Sequence, residues 1–439
     1  MSPPLLHCSV MDTNEHTTPT VPSACFSPDG LHRRMELLAP AGGMEQLEYA
    51  VNFGADAVYL ALDRFGMRRR AENFTAETLP AAIAYAHGHG VKVHVTANIA
   101  MHNEDIDELP AYFALLRDAG VDAAIISDMG ALAIAREVAP GLELHLSTQA
   151  SCMNWRSAIE WHRLGVKRIV CAREMNLAEI REMRRRIPAD LEIEAFVHGA
   201  MCMAVSGRCI ISDHLNARPA NRGHCTQPCR WNYALVEQSR PGEYFPIEQD
   251  GAVTNILSSR DMNMLSHLEE LADAGVDSIK IEGRAKGTYY VAMVTNAYRQ
   301  VLDGAPADAW QPELSAVSHR AYSTGFYFGH PGQTGEGAEY ASTHLLVAFV
   351  TACEPLPADG GGYLVSIICR NRIFEGGEVE AVSPGKPVRR IRIHGLTWMN
   401  NAHPVPVDVA NRTMETYMFA SSEPLSARDI LRIPRKELP

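Results

Sequence analysis

Four times along this chain a glycine closes one segment and a short apolar run opens the next. The strings are GADAVYL from Gly54, GVDAAII from Gly120, GVKRIV from Gly165 and GVDSIKI from Gly275. Glycine at a helix C-terminus tolerates the left-handed backbone that turns the chain back toward a strand. These units fall before alternate members of a series of eight short runs: ELLA, AVYLAL, KVHVTANI, AAIIS, ELHLS, RIVCA, EIEAFV and DSIKI. Amphipathic segments separate them, with apolar residues at helical spacing such as Leu109, Phe113 and Leu116, or Leu177, Ile180 and Met183. Eight strands alternating with helices predict an α/β fold, a (β/α)8 TIM-barrel-like domain. A doubly wound open sheet gives the same echo, so closure is the less constrained half of this expectation. APAGG after the first run is too short for a dinucleotide or phosphate-loop fingerprint.

Chemistry on such a barrel belongs at the C-terminal ends of the strands. The polar residues there are Asn98, Asp128, Gln149, Arg173, Glu174, His198, Lys280, Glu282 and Arg284. A long insertion follows the seventh run and holds Cys202, Cys209, Cys225 and Cys229, four of the ten cysteines, spaced C-x6-C-x15-C-x3-C. Thiolates grouped on glycine-broken backbone suit a sulfur-ligated metal or an iron–sulfur cluster. The spacing is not that of paired zinc knuckles, so the metal stays open, and four ordinary buried cysteines are the plain alternative. The insertion continues through an expected hairpin around Arg240-Pro241-Gly242.

The expected organisation is a disordered extension over 1–34, rich in Ser, Thr and Pro, and a barrel over 35–305 with the metal-binding insertion at 199–260. A linker and covering loop over 306–342 follow. A small C-terminal β-barrel over 343–439 closes the chain, because the hydrophobic period there changes to two. No apolar run reaches the ~18 residues of a membrane helix, no secretory signal opens the chain, and the other cysteines are scattered, so a cytoplasmic protein is expected. A net charge of −12 argues against a protein that coats nucleic acid generally. An RNA enzyme needs only one basic face, for which Arg68, Arg69, Arg70, Arg208, Arg218, Arg222 and Arg230 are candidates. Surface ion pairing is their alternative role.

The stretch E-x-F-x-H-G-A-x-C followed by S-G-R-C-x-x-S resembles the signature of the collagenase-like peptidase superfamily. ELLAPAGGMEQLEYAVNFGADAVYLAL, HLSTQASCMNW and SIKIEGRAKGTYYVA are similar to its tRNA 5-hydroxyuridine-modifying branch, and the resemblance runs from Glu36 to the C-terminus. It implies a 4Fe-4S protein that hydroxylates the wobble uridine of tRNA without molecular oxygen, with prephenate as oxygen source. It further implies tRNA (the anticodon loop) and the iron–sulfur assembly machinery as partners, with no membrane and no DNA.

The expected catalytic set is His198, Arg173, Gln149, Glu282 and Arg284, with all four cysteines holding one cluster. His198 follows the seventh strand as a proton donor or anion binder, or as a satisfied histidine of a polar barrel mouth. Glu194, four residues earlier and on the same side by strand alternation, needs an Arg or Lys partner if it faces the lumen. The forks of Arg173 and Arg284 suit a carboxylate or phosphate; pairing with Glu174 or Glu282 is their alternative. Gln149 and Asn98 can bond a base edge or an oxygenated ligand. Trp231 and Tyr233 can stack on a flipped base or simply pack. Two rival functions are a collagenase-like peptidase and a non-catalytic, zinc-stabilised RNA-binding protein; HExxH and G-x-S-x-G are both lacking.

Overall fold

A computed structural model describes residues 35–67, 72–201, 209, 211–228, 231, 234–235, 245–246, 260–329, 340–356, 361–400 and 403–437. The expected 1–34 extension, Cys202, Cys229, Tyr233 and arginines 68–70, 208 and 230 lie outside the described residues.

The eight apolar runs are strands of one sheet. They are β1 (Glu36–Pro40), β2 (Ala57–Leu60), β3 (Lys92–Ala97), β4 (Ala123–Ile126), β5 (Glu143–Leu146), β6 (Arg168–Val170), β7 (Glu192–Ala200) and, beyond the insertion, β11 (Ser278–Ile281). Each pairs in parallel with the next. β11 then bonds both β7 (Ser278 beside Glu194) and β1 (Leu37 beside Ile279), so the sheet closes into an eight-stranded barrel. The four echo glycines all have positive φ, between 81° and 100°. Each ends the helix before its strand with an N–H bonded back to that helix, as Gly120 does to Arg117.

Helices α1 (Met44–Asn52), α2 (Leu79–Gly88), α3 (Asn103–Ile106), α4 (Leu109–Ala119), α5 (Met129–Val138), α6 (Trp155–Arg163) and α7 (Leu177–Arg186) wrap the strands. α8 (Ile211–Asn216) lies in the insertion, and α9 (Leu268–Asp273) and α10 (Thr288–Leu302) complete the ring. Leu47, Leu79, Phe113, Ile180 and Val291 are fully or almost fully buried in one continuous core between helices and strands.

In the insertion, β8 (Ala234–Leu235) pairs antiparallel with β9 (Phe245–Pro246), the expected hairpin. β10 (Asp261–Asn263) then runs antiparallel along the end of β7, Met262 opposite Gly199. The segment read from sequence as a linker contains a helix, α11 (Ala307–Ala316), and a strand, β12 (Tyr322–Ser323), which extends the barrel sheet beside β10. Pro306 and Pro312 hide α11 in the sequence, yet Pro306 only precedes its first turn. Its Trp310 and Leu314, one turn apart, pack on the barrel core. The covering loop is tied down as well: Tyr327 Oη donates to the carbonyl of Phe196 at 2.6 Å.

The C-terminal residues form an eight-stranded antiparallel sheet. Its order is Arg389–Arg392, Glu378–Val382, Ile430–Pro434, His344–Pro355, Tyr363–Cys369, Thr416–Ser421, His394–Asn400 and His403–Pro406. It curls around its own core of Val347, Val365, Ile367, Tyr417 and Phe419. Phe349 leaves that core to pack on Tyr49 of α1, ring centroids 4.8 Å apart.

Candidate active site

Strand alternation sends every second side chain into the barrel, and in the lower lumen these are charged. Glu194 is completely buried; it accepts from Lys280 Nζ at 2.8 Å and from Arg168 at 3.2 Å. The partner demanded for Glu194 is therefore present, twice. Arg168 also bonds Glu36 at 2.5 Å and Glu192 at 2.6 Å. Burial alone would raise the Glu36 carboxyl, but the Arg168 hydrogen bond and charge outweigh it and hold the group at about 2. His94 and His145 meet edge to face at 4.8 Å. Burial and the facing His145 push His94 down to about 3, so both rings are neutral plugs.

Above this floor the barrel opens into a pocket enclosing about 520 Å³, its mouth included. Among the described residues three cations line it, Arg173, Lys280 and Arg284, against one carboxylate, Glu282. Arg173 Nη1 donates to the carbonyl of Ala200 at 2.8 Å, its Nη2 meets Glu282 at 3.2 Å, and its guanidinium lies 4.1 Å over the ring of Phe196. Arg284 Nη1 donates to Thr96 Oγ1 at 2.9 Å. Lys280 Nζ stands 4.4 Å over Tyr59. These bonds hold the cations in fixed directions, with Lys280 paired to Glu194 below and Arg173 to Glu282 beside it, and leave the lining with more cationic than anionic groups.

Of the residues expected at the site, Gln149, Arg173, Glu282 and Arg284 line this pocket together, as do Asn98 and Lys280. His198 does not. The register of β7 against β11 pairs Phe196 with Lys280 and then His198 with Ile281, a β-bulge at Val197. Beyond it His198 packs among Tyr290, Tyr298 and Tyr322, with its Nδ1 3.4 Å from Tyr298 Oη. Tyr290 and Tyr298 belong to α10, outside the barrel, so Glu194 and His198 are not on one side as alternation requires. Burial, with the charges of His319 and Lys286, lowers His198 to about 3. A neutral, 1 % exposed imidazole is poorly placed to bind an anion in the pocket. Asp128 caps α5, accepting from the N–H groups of Gly130 and Ala131.

Sequence reading passed over Tyr59, Thr96, Ser147, Thr148 and Phe196, which also line the pocket. Thr96, Ser147 and Thr148 lie at or just past strand ends and were findable by the same rule that chose Asn98 and Gln149. Tyr59 and Phe196 read as core aromatics, and only closure of the barrel brings them to the mouth.

The insertion is pinned beside this mouth. The carbonyl of Asn221 accepts from Ala100 N at 2.7 Å, and Arg222 pairs with Asp105 at 2.7 Å and Glu104 at 3.1 Å. Arg222 thus serves as a clasp between the insertion and the barrel, the ion-paired alternative foreseen for it. Cys209 and Cys225 are half-buried and not in disulfides. The N–H of Gln227, a residue at φ 57°, donates to Cys225 Sγ at 3.4 Å. A backbone N–H aimed at a sulfur is the support a ligating thiolate receives. Of the two described cysteines Cys225 has this contact, and among the described residues no three His, Cys, Asp or Glu side chains are grouped to hold a metal ion. Trp231 is exposed.

Residues 42–337 match the family described as Peptidase family U32, and residues 342–432 match the Peptidase family U32 C-terminal domain. A "tRNA hydroxylation protein P1" of Bacillus subtilis is 39% identical over 364 residues, 80% of this chain and 84% of that protein. A "tRNA hydroxylation protein P" of Escherichia coli is 35% identical over 394 residues, 80% of this chain and 86% of that one. A Porphyromonas gingivalis protein named "Collagenase" is 34% identical over 312 residues, 67% of this chain and 73% of that one. With both matched regions together running from residue 42 to residue 432, this chain belongs to peptidase family U32.

Proposed function

We propose that this chain hydroxylates a tRNA uridine at C5, at the wobble position of the anticodon, without molecular oxygen. In this reading prephenate supplies the oxygen and Cys202, Cys209, Cys225 and Cys229 hold a 4Fe-4S cluster delivered by the iron–sulfur assembly machinery. The cation-lined pocket at the barrel mouth, in a chain 35–39% identical to tRNA hydroxylation proteins over 80% of its length, carries the reading. A dicarboxylate needs two fixed cationic groups; in this reading they are Arg173, held by Ala200 and Glu282, and Arg284, held by Thr96. Glu282, beside Arg173, orients that fork and stands ready to accept a proton within the pocket. Burial of the floor keeps bulk water from entering through the lumen. When bound, the cluster supplies one-electron redox chemistry or structural support.

The peptidase alternative, suggested by the family name, needs a nucleophile beside a base or a metal-bound water. Among the described residues the hydroxyl of Ser147 accepts from Asn98 and from the N–H of Gln149, and no histidine lines the pocket.

The test is complementation of a strain lacking its own tRNA uridine hydroxylase, with 5-hydroxyuridine counted in digested tRNA. The chain restores the nucleoside, Cys225→Ala and Arg284→Ala do not, and anaerobically purified protein carries iron and labile sulfide. Zinc alone, or full modification by Cys225→Ala, removes the cluster from the reaction. Casein cleavage without tRNA modification overturns the reading outright.

A further inference from the structure

A second cavity opens beside the pocket, between the ends of β3, β4 and β5 and the clasped insertion, and encloses about 1020 Å³ including its open side. The two cavities share three residues, Met67, Asn98 and Gln149, so they are compartments of one depression. Their chemistry differs. Among the described residues no lysine or arginine lines the second, and the one ionisable residue is Asp128. Met67, Ile99, Met129 and Trp161 give it apolar and polarisable walls. Such walls suit the face of a neutral planar ring.

Asn98 stands at the boundary, with its amide nitrogen turned to Ser147. Ser147 Oγ accepts from Asn98 Nδ2 at 2.9 Å and from the N–H of Gln149 at 3.3 Å. The carbonyl of the Asn98 side chain, Oδ1, is buried and has no hydrogen-bond partner among the described residues. A buried carbonyl left unpaired costs stability, and a ligand that donates to it recovers that cost. Uracil presents an N–H at N3. Cytosine presents a bare acceptor there, which would face Oδ1 lone pair to lone pair.

We propose that Asn98 reads the target base as uracil. N3–H donates to Oδ1, the side-chain amide of Gln149 bonds a neighbouring ring carbonyl, and the ring lies at the junction with a face toward the apolar groove. Because Asn98 lines both cavities, C5 of a single-ring base held there stays within one ring's breadth of the cation-lined pocket. The inference rests on the tRNA-hydroxylation reading and deepens it by naming a specificity-determining residue. A positioned hydrogen bond to a base edge discriminates by about tenfold to a hundredfold.

The experiment measures binding, so that it stands apart from turnover. Full-length protein is titrated with two anticodon stem-loop RNAs differing only in U or C at the wobble position, and with a third carrying N3-methyluridine. The expected result is at least a tenfold preference for U over both. Asn98→Ala abolishes the preference while its melting temperature stays near that of the parent chain, and Asn98→Asp, which keeps an acceptor, retains it. Equal affinity of the parent chain for the U and C stem-loops overturns the proposal, as does an undiminished preference in Asn98→Ala. If the preference is found but 5-hydroxyuridine is not restored in cells, the hydroxylation reading fails and Asn98 still reads uracil. If modification is restored without a preference, the reverse holds.

Discussion

At the scale of single residues, the lumen sets both stability and pH response. Glu194 has no exposed surface and two cationic partners. Removing one member of a buried charge cluster strands the others, at a cost of about 3–5 kcal/mol. Glu194→Ala is expected to lose that much in urea unfolding, and Glu194→Leu combined with Lys280→Met to lose less, because the pair then leaves together. Acid acts on the same cluster. His94 titrates at about 3 instead of 6.5, and Glu36 at about 2 instead of 4.5. In both cases the unfolded chain takes up a proton that the native chain refuses. Stability is therefore full above pH 6.5. It falls as pH drops from 6.5 toward 3 through His94, and again from 4.5 toward 2 through Glu36, by about 1.4 kcal/mol per pH unit for each group. The urea midpoint measured from pH 8 to pH 4 should decline in this order, with His94→Gln flattening the upper step. A midpoint constant between pH 7 and pH 5 would show that the histidines are not held neutral.

At the scale of elements, the end of β7 governs the mouth. Gly199 has φ 101°, and a Cβ there would fall well inside contact distance of the Glu282 carbonyl. Left-handed backbone at a non-glycine residue costs about 1–3 kcal/mol before any clash is counted. Gly199→Ala should thus lose at least this much stability. It should also lower tRNA modification more than stability alone explains, since Glu282 and its partner Arg173 move with the strand. A stable, fully active Gly199→Ala would mean that β7 and β11 can separate without disturbing the pocket. This region also marks where sequence stops informing. The strands, their order and the strand-end residues Gln149, Arg173, Glu282 and Arg284 are legible because period and punctuation are local properties. Closure is not, because β1–β11 pairing joins residues more than two hundred positions apart. The bulge that turns His198 away from Glu194 is invisible too, since nothing in AFVHG marks Val197 as the extra residue. Asp261, in a stretch that gives no strand signal of its own, lies in β10 and accepts from the N–H of Arg320, a pairing set by tertiary contact.

At the scale of the whole molecule, the C-terminal sheet is fastened to the barrel by charge as well as by Phe349. Arg432, 2 % exposed, forks onto Glu313 of α11 at 2.6 and 2.9 Å and also bonds Glu380 of its own sheet at 2.9 Å. Arg428 reaches Glu48 of α1 at 2.7 Å, and Arg370 reaches Glu45 of α1 at 2.6 Å. The clamp thus grips the barrel through α1 and through the α11 segment that the sequence disguises as a linker. Arg432 is the buried one of the three, so its pairing is least screened by water. A double-mutant cycle on Glu313→Ala and Arg432→Ala should give a coupling of about 0.5–3 kcal/mol. The same cycle on Arg370 and Glu45, with more exposed side chains at 21% and 45%, should give less than about 1 kcal/mol. If the clamp makes barrel and sheet unfold together, calorimetry of the parent chain shows one transition and Glu313→Ala broadens or splits it. A vanishing Arg432–Glu313 coupling with an unchanged single transition would leave the Tyr49–Phe349 contact and its apolar surround as the fastening that matters.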